Sequence, residues 1–99
     1  IDGGTGADVI AAGGGDDAVR YWGGEASIDG GLGINTLVLK AVATVDLGAA
    51  DQTVGDGALT TGFVDIDASA LNAAQSVSLT GSSGINVIVG GSGSDTLDG

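Results

Sequence analysis

A nine-residue period at both ends of this chain limits what it can fold into. Residues 3–11 (GGTGADVIA), 12–20 (AGGGDDAVR), 21–29 (YWGGEASID) and 30–38 (GGLGINTLV) are consecutive rows, and 81–89 (GSSGINVIV) and 90–98 (GGSGSDTLD) resume the period. Each row approximates GGxGxDxUx, with U a large apolar residue. Position four is always glycine, at Gly6, Gly15, Gly24, Gly33, Gly84 and Gly93. Position eight is Ile10, Val19, Ile28, Leu37, Ile88 and Leu97, and Ile1 and Leu79 keep the same phase. Position six is Asp8, Asp17, Ala26, Asn35, Asn86 and Asp95, so its oxygen-bearing side chain is missing once and uncharged twice. A flexible linker has no reason to keep an apolar residue in so strict a phase.

Each position has a physical reason. Glycines at positions one, two and four permit positive φ and close backbone approach, so a short loop can curl until its carbonyls converge. Such a loop suits a hard divalent cation. Calcium takes about six to eight oxygens in a tolerant geometry, and a loop with a single Asp supplies only part of that set, so two loops must share each ion. In the strand that follows, the side chain at position eight faces with position six and away from seven and nine. One inward apolar residue per row cannot hold a lone strand, so the rows must stack into a continuous thin core.

The composition points to the same cation. One Phe, one Trp and one Tyr leave Val, Ile, Leu and Ala to build the core, and 21 glycines raise the entropy lost on folding. The 13 acidic residues against Arg20 and Lys40 give a net charge of −11, and this self-repulsion opposes compaction until cations neutralise it. The same balance excludes a nucleic-acid surface and disfavours polyanionic substrates. Cys and His are absent, which removes disulfides, imidazole acid–base chemistry and an HExxH zinc site. No apolar run is long enough to span a membrane, and no signal peptide is visible at Ile1. The chain opens in mid-row and Gly99 begins another row, so both ends read as cut from a longer protein.

The strict phase lapses between Leu37 and Leu79, yet alternation still predicts strands. In residues 36–47 (TLVLKAVATVDL), Leu37, Leu39, Ala41, Ala43, Val45 and Leu47 share one face, opposite Lys40, Thr44 and Asp46. In 62–69 (GFVDIDAS), Val64, Ile66 and Ala68 oppose Phe63, Asp65 and Asp67, and 76–80 (SVSLT) is a further strand. Residues 48–57 (GAADQTVGDG) read as a loop. Asp65 and Asp67 read as the polar face of a half-buried sheet rather than a glycosidase pair. Asp51 and Asp56 read as a solvated loop rather than an accessory cation site, and Tyr21 with Trp22 as packing at a rung edge rather than a sugar platform.

The rows resemble the RTX (repeats-in-toxin), hemolysin-type nonapeptide family of secreted bacterial proteins, over roughly half the chain. The resemblance implies an all-β fold, a right-handed parallel β-roll or β-helix solenoid with two rows per turn and Ca2+ held between stacked glycine-rich loops of rows n and n+2. Carried over by position, the metal ligands are Asp8, Asp17, Asn35, Asn86 and Asp95, with the glycine loops at Gly4, Gly6, Gly13, Gly15, Gly31, Gly33, Gly84, Gly91 and Gly93. Asp17 then pairs with Asn35 and Asp8 with Ala26. Ala26, Tyr21 and Trp22 depart from the family pattern, so Glu25 or water is needed beside Asp8. The partners of Asn86 and Asp95 would lie beyond Gly99.

The middle resembles the wider β-strand turns that precede β-roll blocks in large RTX proteins. The expected organisation is a single module over 1–99, with nonapeptide rows at 1–38, wider β-strand rungs at 39–80 and rows at 81–99 that continue onward. The function implied is a non-enzymatic, calcium-binding structural module of a secreted or bacterial cell-surface protein of adhesin, surface-layer or toxin type. Such a chain leaves through a one-step (type I) secretion system and folds on meeting external calcium. The competing reading is the accessory C-terminal domain of a secreted protease, lipase or polysaccharide-modifying enzyme. Expected partners are calcium ions and neighbouring repeats of the parent protein, without nucleic acid or membrane insertion. No residue pattern supports a carbohydrate or host-surface ligand.

Overall fold

The computed structural model describes residues 1–99. It is all-β: β1 (Val9–Ala11), β2 (Ala18–Tyr21), β3 (Ser27–Asp29), β4 (Thr36–Leu39), β5 (Thr44–Asp46), β6 (Thr53–Val54), β7 (Leu59–Thr61), β8 (Asp65–Asp67), β9 (Ser78–Thr80), β10 (Ile88–Val89) and β11 (Thr96–Asp98). No helix is long and apolar enough to cross a membrane. The strands form three sheets, ordered β1-β3-β7, β10-β8-β4-β2 and β11-β9-β5-β6. Pairing is parallel throughout except between β5 and β6. The chain visits the first and second sheets with β1 and β2, then all three with β3, β4 and β5 and again with β7, β8 and β9. It ends on the second and third with β10 and β11. Parallel strands separated by corner loops are what a β-roll requires.

The register carries the row period into the core. Ile10 lies opposite Ile28 and Val19 opposite Leu37, two rows on. The offset widens in the middle, where Leu37 meets Ile66 and Val45 meets Leu79, and returns to two rows at Leu79 and Leu97. Side chains therefore stack in columns, such as Val19, Leu37, Ile66 and Ile88 in the second sheet. Val19, Ile28, Leu37, Leu39 and Val45 have no exposed surface, and burying each such side chain is worth about 1.5–3 kcal/mol. Leu97 points inward by phase but remains half exposed, because β11 is the last strand of its sheet.

The middle departs from the sequence expectations in three ways. First, residues 36–47 form two strands in different sheets, with Lys40 to Ala43 turning the corner. The inward face persists: Leu37, Leu39, Val45 and Leu47 are buried, and the small Ala41 and Ala43 pack on the core at the bend. Second, Phe63 is buried rather than outward. Alternation applies only to extended backbone, and Gly62, at φ 84°, breaks it just before Phe63. Third, residues 48–57 are not simply a loop, since they contain β6 and the buried Gln52 and Thr53.

Gln52 ties this region together. Its Nε2 donates to the carbonyls of Leu47 (3.1 Å) and Phe63 (2.9 Å), and its Oε1 accepts the Phe63 N–H (2.9 Å). Thr60 continues the column of Ile10 and Ile28 as a polar residue, and its hydroxyl is paired with that of Thr53 at 2.7 Å. These bonds satisfy groups that would otherwise be costly inside the core. Acidic residues also close corners. Asp2, Asp29, Asp46 and Asp67 each accept the backbone N–H two residues on, from Gly4, Gly31, Gly48 and Ser69.

Candidate metal site

The loops 12–17 and 30–35 both lead from the first sheet to the second, and 21–26 leads back, so loops two rows apart share an edge. Gly4, Gly6, Gly13, Gly15, Gly31 and Gly33, at positions two and four, all have positive φ. Position one differs from the expectation. Where position one is glycine, as at Gly3 and Gly90, it leaves room for the position-six side chain that folds back onto it, whereas the second row carries Ala12 there, with Asp17 at position six. A β-carbon on Gly3 would lie 2.8 Å from Asp8 Oδ2, and one on Gly90 would lie 2.9 Å from Asp95 Oδ2. The row with a large residue at position one, Tyr21, is also the row with the small Ala26 at position six.

The structure brings Asp17 and Asn35 together as the period requires. The Asp17 N–H donates to Asn35 Oδ1 at 2.8 Å, and Thr36 N donates to the Asp17 carbonyl at 2.8 Å. Asp16, which the sequence reading passed over, accepts the Ile34 N–H at 2.8 Å and closes the same pair of loops. The doubled acid at residues 16 and 17 was the signal available for it. Asp8 meets Ala26 through its carbonyl, which accepts the Ala26 N–H at 2.9 Å. The loops are packed closely, and a β-carbon on Gly33 would overlap the Gly15 carbonyl.

Two atoms are left over. Asp8 Oδ2 and Asp17 Oδ2 are buried with no hydrogen-bond partner, although buried polar atoms are ordinarily paired. An unpartnered buried carboxylate oxygen is costly unless a positive charge faces it. Both lie in loops whose glycines turn the backbone sharply, and the oxygen-only donor set suits calcium rather than a softer metal. The residues present therefore fit the implied cation.

Other predicted residues are engaged differently. Glu25 is buried and accepts N–H groups from Trp22 (2.8 Å) and Gly23 (2.9 Å) of its own loop, so its carboxylate is committed there rather than to Asp8. Tyr21 is buried and donates to Asp56 Oδ2 at 2.8 Å, whereas Trp22 is partly exposed with its Nε1 on Asp2 Oδ1 at 2.7 Å. Burial first, then that bond to Asp56, push the Tyr21 phenol above its ordinary pKa of 10.0. Asp51 accepts the Thr60 N–H at 3.1 Å, so Asp51 and Asp56 are structural acceptors rather than solvated loop acids. Asp65 accepts the Val87 N–H at 2.9 Å, and hydrogen bonds from Ser69 hold the Asp67 carboxyl below its ordinary range.

The C-terminal rows have a different backbone. Gly84, Gly91 and Gly93 lack the positive φ of their N-terminal counterparts. Gly91 packs against the Ala68 and Leu71 carbonyls and Gly93 against that of Gln75. Asn86 and Asp95 bond back into the wide rungs: Asn86 Nδ2 donates to the Val64 carbonyl at 2.7 Å, and Asp95 Oδ1 accepts the Val77 N–H at 3.1 Å.

Residues 1–25 and 78–99 match the family model described as the RTX calcium-binding nonapeptide repeat, in four copies. No curated protein and no solved structure matches the chain. The matched segments hold Asp8, Asp17 and both C-terminal rows, whereas the row of Asn35 and the wide rungs lie between them. The two ends of this chain thus match the RTX nonapeptide repeat, and the ligand of such repeats is Ca2+.

Proposed function

We propose that this chain is a structural module that folds around calcium, wound as a right-handed β-roll solenoid in a secreted or cell-surface protein. The observation that carries this reading is the pair of buried, unpartnered carboxylate oxygens on Asp8 and Asp17, both at position six of matched repeats. The ligands proposed are Asp17 with the glycine loops at Gly13, Gly15, Gly31 and Gly33, and Asp8 with the loop at Gly4 and Gly6. Gly84, Asn86, Gly91, Gly93 and Asp95 form a second set that needs a further glycine row stacked on it. When bound, calcium supplies the positive charge those two oxygens lack.

The chain's own residues do the rest. Thirteen acidic side chains repel one another, a net charge of −11 keeps the polymer open, and the glycine loops close only when that repulsion is relieved. A site filled at about 100 times its dissociation constant adds about 2.7 kcal/mol to folding, which is decisive for so thin a core. An unfolded, low-calcium form suits type I export, and folding outside the cell follows. A structural role is supported because Asp65 and Asp67 each accept a backbone N–H, from Val87 of the neighbouring rung and from Ser69.

Circular dichroism in chelator and in excess calcium tests the switch. The expected result is a largely disordered chain that becomes β-rich on calcium addition. A spectrum already β-rich in chelator and unaltered by calcium would overturn the folding switch.

A further inference from the structure

Asn35 has no exposed surface and uses both ends of its amide. Oδ1 accepts the Asp17 N–H from the preceding loop of its edge. Nδ2 faces three carbonyl oxygens, those of Gly30 (2.7 Å), Gly31 (3.2 Å) and Gly62 (3.0 Å). Two belong to its own glycine loop and the third to the turn of the wide rung stacked on it. A ring of carbonyls around a positive centre is the environment a calcium loop builds. At this layer the centre is an amide NH2, which only donates.

The contrast with Asp8 and Asp17 is chemical. A carboxylate is acceptor-only, and each of those residues has a buried oxygen without a donor. Asparagine, with the same shape, brings its own donor and leaves nothing unpaired. Asn86 repeats the pattern from the opposite side of the same turn, where its Nδ2 donates to the Val64 carbonyl at 2.7 Å. Asn35 also holds that turn through its backbone, its carbonyl accepting the Val64 (3.0 Å) and Asp65 (3.1 Å) N–H groups. The two position-six asparagines of the chain therefore flank one turn, residues 62–65, which has no position-six side chain to offer.

The geometry points to Asn35 as a metal-free coupler: its side-chain amide occupies the cation's place between the loop 30–35 and the Gly62 turn, so calcium binding on this edge stops at the Asp17 layer. This rests on the calcium reading of the glycine loops and restricts where it applies. It also takes Asn35 out of the ligand set, because the amide is engaged at both ends, Oδ1 by the Asp17 N–H and Nδ2 by the loop and turn carbonyls. Replacing the amide by a carboxylate turns the donor into an acceptor facing three carbonyls, and only a cation reconciles them.

The test counts calcium per chain by equilibrium dialysis with elemental analysis, in excess calcium, for the full chain and for Asn35→Asp and Asn35→Ala. Asn35→Asp should bind one ion more than the unaltered chain and need more calcium to fold, whereas Asn35→Ala should bind the same number. An Asn35→Asp chain with no extra ion, folded or not, overturns the proposal, as does an Asn35→Ala chain that folds and loses one. If Asn35→Ala does not fold, Asn35→Asp alone decides. A count of zero for the unaltered chain would instead refute the calcium reading of the loops, whereas one or more ions with no increment in Asn35→Asp refutes the coupler alone.

Discussion

Gly31 lies so close to Gly13 that a β-carbon on Gly31 would overlap the Gly13 carbonyl oxygen, and Gly31 also has a positive φ of 74°. Two independent reasons thus require glycine there. Gly31→Ala should lose about 2 kcal/mol or more in calcium-loaded denaturation. Gly14 has open space at its β-position and no positive φ, so Gly14→Ala should alter stability by no more than about 0.5 kcal/mol. Similar denaturation midpoints for the two variants would show that the loops are not stacked as described.

Asp17→Ala removes a half-buried carboxylate whose buried Oδ2 has no protein partner. Its calcium midpoint should rise by about tenfold or more, equivalent to about 1.4 kcal/mol. Asp98→Ala is the proper comparison, because Asp98 is exposed and carries the same charge. Asp51 and Asp56 are unsuitable, since both accept structural hydrogen bonds. Equal midpoints for Asp17→Ala and Asp98→Ala, followed by fluorescence or circular dichroism, would mean that general charge neutralisation and not a site is being measured.

Gln52→Ala strips partners from the Leu47 and Phe63 carbonyls and from the Phe63 N–H, all bonded to one buried amide. Leaving such groups unpaired costs about 1–3 kcal/mol each before relaxation, so a loss of about 3 kcal/mol is expected in urea melts at saturating calcium. A loss under about 1 kcal/mol would show that water replaces the amide.

Tyr21→Phe deletes the phenol bond to Asp56, and a loss of about 1–2 kcal/mol is expected at neutral pH. The alkaline limb gives a second readout. The folded phenol is raised above its unfolded value of 10.0, so its contribution is fully present below that pH. As pH rises further the unfolded chain releases the proton first, and stability falls. Stability measured near pH 9 and near pH 11 should drop more steeply in the unaltered chain than in Tyr21→Phe. Parallel slopes would place the phenol in water.

Much of this architecture was legible in the rows. Ile10, Val19, Ile28 and Leu37 recur in phase, and their inward direction follows from strand geometry alone. The stacking of Asp17 with Asn35 follows from two rows per turn. The middle was only partly legible. Leu37, Leu39, Val45 and Leu47 form one buried face, but nothing local says that the chain bends at Lys40, because the bend exists to carry it onto a third sheet. Phe63 turned inward because Gly62 interrupts the extended backbone on which alternation depends.

What the sequence by itself determined is the repeating unit: a glycine loop, one position-six side chain and one inward apolar residue, all set by positions a few residues apart. What only the tertiary structure decided is the neighbour each loop receives. Asp17 and Asn35 occupy the same place in their rows, yet one is left with an orphan oxygen while the other's amide meets the Gly62 carbonyl. That difference depends on the long excursion between Leu37 and Leu79, which brings a turn with no side-chain ligand of its own onto the Asn35 loop. Local spacing cannot specify it, because it arises from contacts between segments far apart in the chain.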